Sequence, residues 1–339
     1  MIRIKDIAQR AGVSPTTVSN VIHGNTRKVS QATIEKINSI IEETNYVPSM
    51  GARLLAGNGS RIIGVIVGTE ERFREEKLQD PFTGSILGKI ETELSRRGYY
   101  MMFHMSSGME ENCQLASAWN VEGLLTIGIS AEDNLEIRRL ARAPVVSIDV
   151  YYGKHAIPNV GLDDFSGGYE MTKYLLACGH RRILFLTPWD IGVDRARWEG
   201  VQKALREYGI DEAEIESCRQ FMPCGREERI QMHRKNLEKY KQYTALFFSS
   251  DYYAAEGIQF LHDEGIRVPE DISVTGFDNN SYATLIRPAL TTVEQDVRRK
   301  GWQAVDMLMQ LIENGGEEGV QTQKKLPIRI VERESVRKL

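Results

Sequence analysis

The chain has 339 residues, of which 41% are hydrophobic and 27% are charged, and its formal net charge is −4. This composition excludes a chain that is disordered throughout, and the length suffices for two or three domains of about 100–150 residues. The apolar runs are far shorter than the about 20 residues of a membrane-spanning helix, and the N-terminus lacks a secretory signal pattern. The four cysteines show neither a disulfide framework nor CxxC spacing. We therefore expect a cytoplasmic protein without a membrane partner, a metal site or a cofactor.

The charge is unevenly distributed along the chain. Residues 1–60 contain seven Lys or Arg and four Asp or Glu, a net charge of +3, which leaves −7 for the rest. The overall charge of −4 by itself argues against a nucleic-acid binder. The split instead indicates a small basic DNA-binding segment carried on an acidic body.

Three short helices are predicted in the basic segment. Apolar residues at helical spacing predict a helix over 4–11, and Gly12 follows it where a left-handed residue would end the helix. Ser14 is suited to cap a second helix over about 15–23, and Ser30 begins a third. Two short helices across a tight glycine turn, braced by a third, form a helix-turn-helix unit. A three-helix cap on an enzyme would show the same periodicity, but the polar outer face and the local charge favour DNA binding.

The order of these motifs resembles the lactose-repressor (LacI) family of bacterial transcription regulators, and the matching segments are 4–22, 29–30 and 45–48. Family members usually carry arginine where this chain has Asn20. Arginine favours guanine and asparagine favours adenine, so the resemblance implies a shifted operator preference. The residues that it implies at the DNA are Pro15, Thr16 and Asn20 on major-groove bases, Ser14, Thr17 and Ser19 on phosphates, and in addition Lys5 and His23.

Residues 48–57 predict a conditional helix. Its about eight helical residues are too few for stability in isolation, and Gly51 costs about 1 kcal/mol more relative to alanine. The resemblance implies that paired hinge helices form in the minor groove at the operator centre, where Leu55 wedges between base steps and Ala52 and Arg53 accompany it. An ordinary domain linker is the alternative.

From residue 61 onward, β-branched runs alternate with helical patterns, which predicts parallel sheets built from βαβ units. Two successive sets of strands predict two Rossmann-like lobes with a cleft at the carboxyl ends of the strands. The chain contains no GxGxxG after its first strand, no GxxxxGK[ST], no GxSxG and no HExxH. Because these catalytic and nucleotide-binding motifs are absent from the sequence, no motif supports an enzyme. The predicted strands are 62–67, 99–103, 123–127 and 145–148 in the first set, and 182–186, 245–248 and 272–277 in the second.

The resemblance continues through the acidic body at 80–82, 160–164, 179–183, 268–278 and 288–293. It implies a domain similar to periplasmic sugar-binding proteins, whose two lobes exchange the chain three times. The expected fold class is therefore α plus α/β, a helix-turn-helix headpiece with a hinge helix followed by a two-lobe α/β effector domain. The expected boundaries are 1–47 for the DNA-binding domain, 48–60 for the hinge and 61–339 for the effector-binding and dimerisation domain, with lobe 1 over about 61–158 and 291–322 and lobe 2 over about 159–290 and 323–339.

Positions that match the family nominate a set of effector-binding residues in the cleft. A carboxylate can accept two hydroxyl hydrogen bonds, and the planar fork of arginine can donate two. An aromatic ring such as that of Phe82 can stack on the apolar face of a sugar, although it could equally belong to the core. Ser250 departs from the asparagine common in the family. The nominated residues are Asp80, Phe82, Asp149, Arg197, Phe221, Ser250 and Asp278.

The function expected from these features is a DNA-binding transcriptional regulator. It would act as a repressor on operator DNA, as a homodimer with two reading helices, under the control of a small-molecule effector such as a sugar. The alternatives are a cytosolic sugar-binding protein or an enzyme on the same two-lobe fold, and no catalytic residue is nominated. The sequence does not determine the effector, the direction of its effect, the operator or any assembly beyond a dimer.

Overall fold

The computed structural model describes residues 2–22, 24–46, 59–118, 120–151 and 157–339. The chain forms two compact units, 1–60 and 61–339. The predicted hinge segment 48–57 lies outside the described residues. Among the helices that can be described, none combines the length and the apolar character that crossing a membrane requires.

The first unit consists of Ile4–Ala11 (α1), Pro15–Ile22 (α2) and Gln31–Thr44 (α3). Gly12 ends α1 in the left-handed region at φ 71°, where the absence of a Cβ removes the steric penalty. The predicted helix caps are confirmed. Ser14 Oγ accepts a hydrogen bond from the backbone N–H of Thr17 at 3.1 Å. Ser30 Oγ accepts likewise from Thr33 at 3.3 Å.

A small apolar core joins the three helices of the first unit. Ile7 on α1, Val18 on α2 and Ile37 on α3 are each fully buried and pack in one cluster. Three helices of 8 to 14 residues are too short to be stable alone, so this shared core is what stabilises them. The helix-turn-helix prediction is confirmed as a structure.

The second unit is an α/β structure with two lobes, each built on one sheet. Its strands are Ile62–Gly68 (β1), Tyr100–Ser106 (β2), Gly123–Ile127 (β3), Val145–Ile148 (β4), Asn159–Leu162 (β5), Ile183–Thr187 (β6), Arg219–Phe221 (β7), Ala245–Phe248 (β8), Ser273–Asp278 (β9), Thr291–Glu294 (β10), Gln323–Leu326 (β11) and Arg329–Val331 (β12). A 3₁₀ turn at Glu71–Phe73 precedes its helices, which are Arg74–Gln79 (α4), Pro81–Arg96 (α5), Met109–Ala118 (α6), Ala131–Leu140 (α7), Asp164–Ala177 (α8), Gly192–Glu207 (α9), Glu212–Ser217 (α10), Arg226–Lys235 (α11), Leu237–Tyr240 (α12), Asp251–Asp263 (α13), Tyr282–Leu285 (α14) and Val297–Asn314 (α15).

The described strands pair into two six-stranded sheets, one for each lobe. The lobe 1 sheet has the order β11-β5-β4-β3-β1-β2, and the lobe 2 sheet has the order β12-β10-β9-β8-β6-β7. The pairing is parallel except between β10 and β12. Helices cover both faces of the sheets, so the central strands are buried throughout and consist of continuous apolar runs, as in β1 and β8.

The chain passes between the lobes one strand later than expected at each crossover. β5 and β11 were assigned to lobe 2 by the boundaries 158/159 and 322/323, but they pair in the lobe 1 sheet. β10 was assigned to lobe 1 by the boundary 290/291, but it pairs with β9 in the lobe 2 sheet. These boundaries were wrong because a strand's sheet is set by its pairing partner and not by its local pattern.

Candidate functional site

The first unit presents most of its predicted DNA-contacting residues on its surface. The apolar residues Val18 and Val21 of α2 face the core. The opposite face of α2 and the preceding turn are open to solvent or partly so. The predicted residues on this surface are Ser14, Pro15 and Thr16, which are exposed, and Thr17, Ser19 and Asn20, which are partly exposed. Lys5 is exposed on α1. The predicted residues His23, Ala52, Arg53 and Leu55 lie outside the described residues.

The candidate effector site lies in the second unit, where the carboxyl ends of strands from both lobes converge. Asp149 follows β4 of lobe 1, and Asp278 ends β9 of lobe 2. Both adopt positive φ values, 57° and 128°, that residues with a side chain rarely adopt. Such conformations concentrate at ligand-binding sites. Asp80, in lobe 1, interacts electrostatically with Asp278, so the two lobes share this region.

Arg197 occupies the centre of the region from α9 and is almost entirely buried. Its Nε donates to Asp164 Oδ1 at 2.7 Å, and its Nη1 donates to the backbone oxygen of Ser249 at 2.5 Å. The guanidinium also lies 3.6 Å from the centre of the Phe277 ring. Burial opposes its charge, but the carboxylates of Asp164, Asp278 and Asp194 outweigh that effect and raise the pKa of Arg197. The guanidinium is therefore held in one orientation.

Asp164 joins Arg197 to lobe 1. The hydroxyl of Tyr151, which follows β4, donates a short hydrogen bond to Asp164 Oδ2. Burial and the Asp164 carboxylate raise the pKa of Tyr151 well above its usual range, so this hydroxyl remains a donor. The sequence motif 160–164 includes Asp164, but it did not indicate this role.

The buried carboxyl groups of lobe 2 have perturbed acidity. Burial raises the pKa of Asp194 to about 6 against the opposing charge of Arg197. Burial also raises the pKa of Asp251 to about 6, although Thr292 donates to it. Burial and the Asp251 carboxylate raise the pKa of Asp278 well above its ordinary value. Acids and a fixed arginine together offer hydrogen-bond acceptors and donors in a desolvated space.

A second cation in this region, Lys300, was not predicted. It lies in the first turn of α15 with 1% of its side chain exposed, and its ammonium donates to both carboxylate oxygens of Asp149 at 2.8 and 2.6 Å. It also donates to Gln295 Oε1 at 2.7 Å. In the sequence it follows two arginines and is typical of a solvated basic helix face. Only the packing of α15 on lobe 1 places it inside.

The other predicted effector residues lie in different environments. Phe82 packs partly buried against the lobe 1 core, with its ring centre 5.3 Å from Lys300 Nζ. Phe221 is 45% exposed at the end of β7, where the Arg219 guanidinium covers it at 4.7 Å. The Ser250 hydroxyl accepts from the backbone of Tyr253 at 3.4 Å and caps α13. Asp80 caps α5 through Thr83 in the same way.

No cluster of three or more histidine, cysteine, aspartate or glutamate side chains suited to a metal ion occurs among the described residues. The buried carboxylates near Arg197 are instead engaged by cations, hydroxyls and amides.

Comparison with known proteins shows the family. Residues 3–49 match the model of bacterial regulatory proteins of the lacI family, and residues 172–336 match a periplasmic binding protein-like domain. The HTH-type transcriptional repressor PurR of Haemophilus influenzae is 33% identical over an alignment that covers 100% of both chains. This chain belongs to the lacI family. It is a DNA-binding transcriptional regulator.

Two solved structures of transcription regulators share the architecture. The lac repressor dimer bound to operator and the anti-inducer ONPF superposes with a TM-score of 0.85 at 26% identity, and the match covers 99% of each chain. A complex of the transcriptional regulator CelR with cellobiose has a TM-score of 0.73 at 26% identity, covering 99% of this chain and 100% of that one. The predicted family and fold class are confirmed.

Proposed function

We propose that this protein is a repressor that binds operator DNA as a homodimer and responds to a sugar bound between its lobes. The observation that carries the effector part is that Asp149 and Asp278, at the carboxyl ends of strands in the two sheets, lie in one region with Arg197 of α9. Carboxylates accept and guanidinium donates the hydrogen bonds that a sugar's hydroxyl groups need. The likeness to a regulator solved with cellobiose supports a sugar as the ligand class.

The DNA part of the proposal assigns the exposed face of α2 to the major groove. Thr16 and Asn20 would contact bases, and Ser14 and Thr17 would contact phosphates. The outward position of these side chains and the net charge of +3 in residues 1–60 support this assignment. Two copies would contact two half-sites of a palindrome. The likeness to the lac repressor, solved as a dimer bound to operator, supports a dimer at the DNA.

Binding of an effector would change the affinity for operator, and operator would change the affinity for effector by the same factor. The rearrangement between lobes that accompanies binding is the natural carrier of this coupling, because the three crossovers connect the lobes. The hinge residues Ala52, Arg53 and Leu55 would transmit it to the DNA.

A thermal-shift panel of sugars, sugar phosphates and nucleobases tests the effector site. A ligand at 100 times its Kd should stabilise the wild-type protein by about 2.7 kcal/mol. Arg197→Lys keeps the charge but loses the planar fork, so the affinity should fall at least about tenfold. Arg195→Lys is the matched control, since Arg195 lies on the same helix with 62% of its side chain exposed.

The same compounds are then titrated into the complex with a selected palindromic operator, followed by fluorescence anisotropy. A sugar that stabilises the wild type and the Arg195→Lys variant equally, and that changes operator affinity, supports the proposal. Equal binding to the Arg197→Lys variant, or stabilisation by nucleobases alone, contradicts it.

A further inference from the structure

Lys300 is the least expected side chain in the second unit. Lysine is almost never fully buried unless it is paired, and the ammonium of Lys300 is both buried and fully engaged. Its three protons are directed to the two oxygens of Asp149 and to Gln295 Oε1, all within 2.8 Å. No donor of this group remains for a ligand.

The partners of Lys300 connect the two lobes. Asp149 follows β4 in the lobe 1 sheet, and α15, which carries Lys300, packs on that sheet. Gln295 follows β10 in the lobe 2 sheet, and its Nε2 donates to Asp278 Oδ1 at 2.5 Å. A continuous hydrogen-bonded relay therefore extends from Asp149 through Lys300 and Gln295 to Asp278.

The side chains of this relay form hydrogen bonds between the strand ends of the two lobes, as a ligand bound between the lobes would. An ammonium that donates to a carboxylate at one strand end and to an amide at another holds the two ends together as a ligand's hydroxyl groups would. Each oxygen of Asp149 already accepts one hydrogen bond from Lys300, which leaves about half of the lone-pair sites of this carboxylate for other donors. Asp80 and Asp278 also each accept hydrogen bonds from protein groups through one oxygen.

We propose that Lys300 is an internal latch that holds lobe 1 to lobe 2 before any effector binds. This proposal rests on the proposed function in one respect: it takes the space between the lobes as the effector site. The latch holds the two lobes together, and the effector binds beside Arg197, between Asp80 and Asp278. Asp149 is a positioning residue of the latch, since it holds the Lys300 ammonium through both of its carboxylate oxygens.

The test measures the distance between the lobes without ligand. Spin labels are attached at Glu132→Cys on α7 of lobe 1 and Glu227→Cys on α11 of lobe 2, both exposed, after the native cysteines are replaced by alanine. Double electron–electron resonance is recorded on labelled chains diluted with unlabelled chains, so that only distances within one chain are seen. The expected result for the protein with the latch intact is a single, narrow distribution.

The double variant Lys300→Met with Asp149→Asn removes both charges and leaves no unpaired ion behind. In this variant we expect a longer distance that reaches more than about one tenth of the population. Gln295→Met, which interrupts the relay without disturbing the ion pair, should produce the same second distance if the double variant does not fold. The control pair Lys89→Met with Glu93→Gln removes the ion pairs of Glu93 with Lys89, Arg96 and Arg97 within lobe 1 and should leave the distribution unchanged.

A distribution that stays the same in the Lys300→Met, Asp149→Asn variant and in Gln295→Met overturns the latch. A second distance already present in the protein with the latch intact also overturns it. Neither result depends on an effector, so the proposed function stands or falls separately on the thermal-shift panel.

Discussion

Asp194 illustrates how a single buried side chain makes stability depend on pH. Burial raises its pKa to about 6 in the folded chain, from an ordinary value near 4 in the unfolded chain. The folded chain therefore binds this proton more tightly, and stability falls as the pH rises from about 4 to above 6. The charged form that prevails at higher pH is the one that burial penalises.

Replacing Asp194 with asparagine should remove this dependence. From pH 4.5 to pH 7.5 the free energy of unfolding of Asp194→Asn should rise relative to the wild type by about 2 kcal/mol. Urea denaturation at both pH values measures the difference. Asp263→Asn, at a carboxyl group with 63% of its side chain exposed, is the control and should show no such rise. A constant difference between Asp194→Asn and the wild type would show that Asp194 does not bind a proton in this range.

Asn20 determines, on the proposed function, which base the second helix prefers. Asparagine pairs in a bidentate manner with adenine, whereas arginine pairs with guanine. Asn20→Arg should shift the preference at one operator position from adenine to guanine by about 1–3 kcal/mol. Anisotropy with operators that differ only at that base pair measures it. Lys28→Arg, on an exposed residue of the same unit, should leave the preference unchanged. An Asn20→Arg protein with an unaltered preference would remove Asn20 from the base contacts.

At the scale of elements, the position of Arg197 depends on the contact between α8 and α9. The two helices approach so closely that a Cβ on Gly168 would lie 2.0 Å from the backbone oxygen of Arg197. A Cβ on Gly200 would lie equally close to the backbone oxygen of Phe165. Backbone cannot give way as a flexible side chain can. These two glycines therefore allow Asp164 on α8 to reach Arg197 on α9.

Gly168→Ala should force the two helices apart. We expect a loss of about 1–3 kcal/mol in the free energy of unfolding, as for other overpacked cores, and weaker effector binding through the displaced Arg197. Gly88→Ala is the matched control, because Gly88 lies within α5 and an added Cβ meets nothing within 4 Å. That control should gain about 0.5–1 kcal/mol from helix propensity. Urea denaturation of both variants decides the matter, and equal stability of the two would contradict a tight contact.

At the scale of the whole molecule, a unit of charge +3 is joined to a body of charge −7. Binding to any DNA should weaken steeply with salt, since basic groups release counterions from the phosphates. On the proposed function, the predicted wedge at Leu55 acts where two copies of the protein meet at the operator centre.

Leu55→Ala should therefore weaken operator binding more than binding to unrelated duplex DNA. We expect a loss of about tenfold or more for the operator, since the wedge contributes only where the duplex is kinked. Anisotropy titrations on both duplexes at two salt concentrations separate the effect from the general electrostatic attraction. Leu135→Ala, at a 39% exposed leucine of α7, is the control. An equal loss on both duplexes would contradict the wedge.

The local elements of this protein follow from its sequence. Helix caps such as Ser14 and the turn at Gly12 depend on groups within a few residues, and their chemistry is readable from the chain. The central strands likewise follow from continuous apolar runs such as that of β1. Family motifs added Asp149, Arg197 and Asp278 as candidates, and the structure places all three where strand ends converge.

Only the tertiary structure decided which groups meet across the lobes. β11 is a polar edge strand, and its place in the lobe 1 sheet comes from pairing with β5, which no local pattern encodes. Lys300 is typical of a solvated helix face until α15 packs on lobe 1 and brings it against Asp149 and Gln295. The periodicity of a sequence reports which residues are buried locally. The partners of a buried charge depend on long-range packing, and here that packing decides the chemistry of the site.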